Sequence, residues 1–146
     1  MSEKPLYWSA EYTQAFVAAL NESAAFQKAA KKFDDRIVFR CLDTPQGEDV
    51  EVTYTIRNGQ VTADRRAETA PSSAIRNAPF DKKVAFARST APFDVWVKLD
   101  KGEMNPVQAI ASPDYQVEGP KLKIMRNIGM FNAMSSVGSE TPKRYA

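Results

Sequence analysis

The sequence predicts an α+β fold, a twisted sheet of about five strands with helices packed mainly on one face. Three observations lead there. Val50, Val52, Tyr54 and Ile56 alternate with Glu51, Thr53, Thr55 and Arg57, as the two faces of a half-buried strand do. Asn58-Gly59 follows at once and suits a tight type I′ turn, which needs two residues tolerant of positive φ. From Leu99 to Phe131 a series of helix start and stop signals leads into a helix whose second half, Asn127 to Ser139, carries no charge.

One domain, residues 9–137, is expected between flexible ends at 1–8 and 138–146. Ser9 caps a first helix that buries Tyr12, Phe16 and Leu20, four residues apart. Asn21 to Ser23 break it, and a short second helix places Phe26, Ala30 and Phe33 inside and Lys28, Lys31 and Lys32 outside. Asp34-Asp35 end that helix. Ile37 to Leu42 form a strand, apolar but for Arg40 and therefore covered on both faces. Pro45 to Asp49 turn the chain into the Val50–Arg57 strand, and Gln60 to Arg65 return it.

From Arg66 to Lys83 periodicity is lost and Pro71, Ser72, Ser73 and Pro79 interrupt the chain. Two readings stand there: a mobile surface connection, or a loop with a short helix near Ser73 to Asn77 that covers a site. Val84 to Ser89 read as a fourth strand. Thr90 caps a helix with Pro92 in its first turn and Phe93, Trp96, Val97 and Leu99 as its apolar residues. Gly102 ends it, and Asn105-Pro106 open the next helix with Gln108 placed for a capping box. Tyr115 to Val117 form a short strand, Gly119-Pro120 begin a helix over 121–136, and GSETPKRYA follows as a polar tail.

The reactive chemistry is sparse. The 146 residues contain no histidine, which removes the usual neutral-pH base, the Ser-His-Asp and Cys-His arrangements and the commonest transition-metal ligand. A single cysteine, Cys41, builds neither a disulfide nor a thiolate metal site; it reads as a small core residue in a reducing compartment. No phosphate-binding or nucleophile-elbow motif is present. Asp34-Asp35, Glu48-Asp49, Asp64 and Asp94 read as solvated turns or caps rather than catalytic carboxylates. No cofactor, metal or catalytic residue is expected.

A net charge of +2, with aromatics not interleaved with arginines, argues against a nucleic-acid partner. Lys82-Lys83 and the group Lys121, Lys123 and Arg126 are basic clusters; the second, at the start of the apolar helix, is placed to meet lipid headgroups or a carboxylate. The N-terminus lacks an apolar signal core, and no stretch reaches the roughly 18 apolar residues of a membrane span, so a cytoplasmic protein is expected.

What remains is apolar surface. On the last helix Ile124, Ile128, Phe131 and Met134 share a face, Leu122, Met125 and Gly129 form an adjacent stripe, and Met130 and Ala133 point elsewhere. That arc is wider than one buried seam needs. It fits a helix packed on the sheet, a dimer interface, or a wall around a ligand.

The closing segment resembles that of the sterol carrier protein 2 family, on Gly102, Pro106, Ala109, Val117, Gly119, Leu122, Ile124 and Gly129, with a match in layout over roughly residues 8–135. The resemblance implies a sheet and helices around an apolar tunnel that the final helix helps to close. It implies pocket residues Phe86, Phe93, Trp96, Leu99, Met104, Ile110, Ile124, Met125, Ile128, Phe131 and Met134. The expected function is non-catalytic binding or transfer of a hydrophobic ligand: a fatty acyl chain, a sterol-like molecule or an isoprenoid lipid. Alternatives are an accessory protein that presents a hydrophobic substrate to a biosynthetic enzyme, and a small enzyme acting on a bulky apolar substrate. The partners implied are a hydrophobic small molecule or lipid, a membrane surface met transiently, and a second copy of the chain.

Overall fold

The computed structural model describes residues 3–146. Seven helices and five strands run in the order α1 (Ala10–Glu22), α2 (Ala24–Ala29), β1 (Asp34–Leu42), β2 (Glu48–Arg57), β3 (Gln60–Thr69), α3 (Ala74–Asn77), β4 (Ala87–Pro92), α4 (Phe93–Asp100), α5 (Pro106–Ala111), β5 (Gln116–Glu118), α6 (Lys121–Arg126) and α7 (Ile128–Glu140). The strands form one sheet in the order β3-β2-β1-β4-β5. Only the central β1–β4 pair is parallel, with Phe39 beside Ser89; the other neighbours are antiparallel.

Alternation divides the sheet into an apolar and a polar face. Ile37, Phe39 and Cys41 of β1 stand opposite Tyr54, Val52 and Val50 of β2 in register, with Ile56 and Val61 continuing the row. They form one buried cluster with Tyr12, Phe16 and Leu20 of α1, Phe26 of α2, Trp96 and Leu99 of α4, and Met130 and Met134 of α7. Across the sheet, α3 lies on β2 and β3. Beneath it Arg40 is buried, its Nε donating to Thr90 Oγ1 at 2.8 Å and its Nη1 to the Ile75 carbonyl at 2.5 Å. A charged residue in an apolar strand is tolerated there because two arms of its guanidinium are hydrogen-bonded.

The same face holds Asp49, which is fully buried. Its Oδ2 accepts from Ser73 Oγ (2.6 Å) and Arg76 Nε (2.9 Å), and its Oδ1 from Arg76 Nη2 (2.8 Å). Burial alone would push this carboxyl up; the hydrogen bonds from Arg76 and Ser73 outweigh burial and hold it below its ordinary range. Ser73 also caps α3 through Arg76 N. The irregular 66–83 stretch is thus anchored by α3, and its first residues extend β3 to Thr69.

Several expected boundaries move. β1 begins at Asp34, because Asp34 to Arg36 pair with Arg57 to Thr55 instead of ending a helix. The fourth strand is Ala87–Pro92, not Val84–Ser89; Val84 is half exposed in a turn, and pairing with β1 draws Thr90 into the sheet, so Pro92 occupies the cap of α4. The last helix is two. Asn127 interrupts it at φ −102° and ψ 16°, with its Nδ2 donating to the Lys123 carbonyl and competing with the backbone ladder.

The ends also make more contacts than a polar composition suggests. Met1 and Ser2 of the expected flexible N-terminus lie outside the described residues, but Tyr7 and Trp8 are buried. At the other end Tyr7 N donates to the Arg144 carbonyl and Arg144 N to the Pro5 carbonyl, both at 2.9 Å, so residues of the expected 138–146 tail pair with the start of the chain. Lys143 forms a buried ion pair with Asp100 at 2.7 Å. Among the described residues no helix is long and apolar enough to cross a membrane.

Candidate functional site

Between the apolar face of the sheet and the helices lies a partly open cavity of about 110 Å³. The sheet contributes Ile37, Phe39, Tyr54, Ala87, Ser89 and Val117; α1 adds Tyr12, Thr13 and Phe16. Trp96, Leu99 and Asp100 come from α4, Pro106 and Ile110 from α5, Ile124 from α6, and Ile128, Phe131, Met134, Ser135 and Gly138 from α7. Val38 of β1 with Tyr7, Trp8 and Tyr115 completes the wall.

Local sequence explains the placement. Trp96, Leu99 and Asp100 are three and four residues apart on α4, so they share its inner face. Asn105 and Gln108 form a reciprocal capping box that fixes the start of α5 beneath Ile110. Gly119 has φ 128°, and a Cβ there would stand 2.8 Å from the Phe86 carbonyl; only glycine permits the close turn from β5 into α6. On α7, Ile128, Phe131 and Ser135 face the cavity, while Met130, expected to point elsewhere, is nearly fully buried in the core.

Of the pocket residues expected from sequence, Trp96, Leu99, Ile110, Ile124, Ile128, Phe131 and Met134 stand together around the cavity. Four do not line it. Phe86 packs edge-on against Phe33 at 5.5 Å, Phe93 against Tyr7 at 5.9 Å, Met104 rests on the core cluster, and Met125 is 42% exposed on the outer side of α6. The break at Asn127 changes the helical phase, which is why Met125 and Ile128 do not fall side by side.

Sequence reasoning missed the polar end of the cavity. Asp100 accepts from Lys143 Nζ at 2.7 Å on both carboxylate oxygens and from Tyr145 Oη at 2.6 Å. Lys143 also donates to the Gly138 carbonyl at 2.5 Å and lies 5.4 Å from the ring centres of Tyr7 and Tyr12. An acidic residue on the inner stripe of an amphipathic helix, at Asp100, was the available signal that a cation had to come from elsewhere. Trp8 was missed as well. It adopts φ 70°, a conformation that costs a bulky residue about 1–3 kcal/mol, and its ring packs 5.1 Å from Trp96.

The phenols are poor bases. Burial pushes Tyr7, Tyr12 and Tyr54 well above their ordinary range, and Tyr115 is raised to about 12 by burial, partly offset by its hydrogen bond to Ser89. Cys41 is fully buried and burial likewise raises its thiol. The cavity therefore offers apolar contact over most of its wall and the paired Asp100 carboxylate at its polar end.

A mixed five-stranded sheet with six helices on one face, the short α3 on the other and an apolar cavity beneath the six defines a class of small α+β domains. The chain has the sterol carrier protein 2 fold. The crystal structure of a sterol carrier protein 2 superposes with a TM-score of 0.71 at 16% identity, covering 92% of this chain and 98% of the other. A conserved hypothetical protein of Thermus thermophilus gives 0.73 at 17% identity, covering 99% and 96%. The apo form of sterol carrier protein 2 from Yarrowia lipolytica gives 0.52 at 15% identity, covering 87% and 88%. No family model matches the sequence, and no curated protein matches it.

Proposed function

We propose that this protein binds and carries a hydrophobic ligand in the cavity without chemical change. The observation that supports this most directly is the wall itself, aromatic and aliphatic side chains from the sheet and five helices, converging on a partly open space. Each buried methylene contributes about 0.8 kcal/mol, so ten would give roughly 8 kcal/mol before the costs of association. The free volume takes several methylenes; a longer chain extends through the open side as α6 and α7 yield. Ile110, Ile124, Ile128, Phe131 and Met134 are the apolar contacts and Trp96 the reporter.

The fold supports the same reading, since two of the superposed structures are sterol carrier proteins by name. The small-enzyme reading is less favoured, because the phenols around the cavity are held protonated by burial and the Asp100 carboxylate is committed to Lys143 and Tyr145.

The test is a titration of the delipidated protein with a panel of long-chain alcohols, esters, acids and sterols, followed by tryptophan emission and by equilibrium dialysis. Saturable binding of at least one class is expected, with a spectral shift from Trp96 and Trp8. No binding of any class by dialysis would end the carrier reading.

A further inference from the structure

The polar atoms of the cavity discriminate among lipids. Resting on the carrier reading above, we propose that the cavity selects lipids with an uncharged head that bears an acceptor oxygen, an alcohol, ketone or ester, and rejects a free carboxylate. Trp8 Nε1–H is the donor that receives that oxygen.

The charge inventory comes first. Among the described residues Asp100 is the one acidic residue in the cavity wall, and no lysine or arginine lines it. The cation behind it, Lys143, has three N–H groups and all are committed: two to Asp100 Oδ1 and Oδ2 at 2.7 Å, one to the Gly138 carbonyl at 2.5 Å. It cannot turn to a ligand without unpairing a buried carboxylate. A fatty-acid anion drawn inside would be desolvated, unpaired and close to Asp100, which is the expensive arrangement for a charge. An uncharged head escapes that penalty.

The donor inventory then gives the head a partner. Among the described residues Trp8 Nε1 is the one buried side-chain polar atom with no hydrogen-bond partner. Trp8 is 7% exposed and belongs to the cavity wall. Its neighbour Trp96 makes the contrast, because the Trp96 Nε1–H donates to the Arg40 carbonyl at 2.9 Å. Buried donors are normally paired, so an orphan on a wall residue calls for a partner; Nε1 is itself covered, and a ligand oxygen reaches it by displacing the side chains packed over it. Trp8 is also held in place: it has φ 70°, and its carbonyl accepts from Arg65 Nε at 3.0 Å. A carbonyl, ether or hydroxyl oxygen suits that indole; a hydrocarbon leaves it unpaired.

The experiment compares matched chains on the delipidated protein at neutral pH: hexadecanol, methyl palmitate, palmitate and hexadecane, each followed by equilibrium dialysis. Hexadecanol and methyl palmitate should bind about tenfold or more tightly than palmitate. Trp8→Phe, which keeps an aromatic ring and removes the N–H, should weaken both by roughly fivefold more than it weakens hexadecane, whose change reads the lost apolar contact alone. Palmitate binding as tightly as its methyl ester would overturn the proposal and leave the carrier reading intact. So would a Trp8→Phe variant that holds hexadecanol as the parent does. If none of the four binds, this proposal falls, and the carrier reading falls with it only if the sterols of the wider panel fail as well.

Discussion

Replacing Lys143 by methionine should destabilise the fold as a core substitution does, although it lies three residues from the C-terminus. The side chains of Lys143 and Asp100 are 4% and 3% exposed, and the ion pair spans 2.7 Å. Removing one partner of a buried pair costs about 3–5 kcal/mol, because the other charge stays buried and uncompensated. Tyr145 Oη would still donate to Asp100, which places the loss near the lower end, about 3 kcal/mol. In a chain of this size each kcal/mol moves the melting temperature by about 2–4 °C, so a fall of roughly 6–12 °C is expected. Thermal unfolding followed by far-UV circular dichroism reads it. The double variant Asp100→Leu with Lys143→Met should recover most of the loss, since it removes both charges and fills the space with apolar atoms. A Lys143→Met protein that melts within about a degree of the parent would refute the reasoning. It would mean that 138–146 is the loose tail its composition suggests.

Three further predictions concern other parts of the fold. Gly59→Val should cost about 2 kcal/mol or more in urea denaturation, because Gly59 sits at φ 76° and a Cβ there would stand 3.2 Å from the Gln27 carbonyl; an unchanged midpoint would count against the hairpin. Asp49→Asn should lower the melting temperature at neutral pH, with the gap to the parent closing in acid. The folded carboxyl is held below its ordinary range, so its stabilisation is present above the unfolded value of about 3.9 and is lost as pH falls below it through the folded value. A gap that is constant from pH 7 down to about pH 3 would argue against the charged network. Met130→Ala should cost about 2–5 kcal/mol of stability, whereas Phe131→Ala on the cavity side should cost less and weaken ligand binding by about tenfold; the reverse ranking would exchange their assigned faces.

The sequence was most legible where local chemistry leaves one choice. Asn58 at φ 52° and Gly59 at φ 76° form the expected turn, and they set the register that places Arg57 opposite Gln60. The Ser9 and Asn105 caps stand where their side chains require. β4 was misplaced for a physical reason. Val84 and Phe86 carry the higher strand propensity, yet the central position of Ala87–Pro92 is fixed by pairing with β1 and β5. The cavity was half legible. Periodicity finds an apolar face on α7 but cannot tell a side chain that fills the core, Met130, from one that lines a space, Phe131. Ile37, Phe39 and Tyr54 look like ordinary strand core and prove to be cavity wall. Asp100 and Lys143 are 43 residues apart in sequence, and nothing local joins them.

The most direct test of the central claim is an isotope-filtered nuclear Overhauser experiment on protein carrying labelled isoleucine and methionine methyl groups, with an unlabelled sixteen-carbon alcohol bound. Contacts from the alkyl chain to the methyls of Ile110, Ile124, Ile128 and Met134, which surround the cavity, are predicted. Contacts confined to the exposed Met125 methyl, with none to those four, would contradict a ligand held inside the fold.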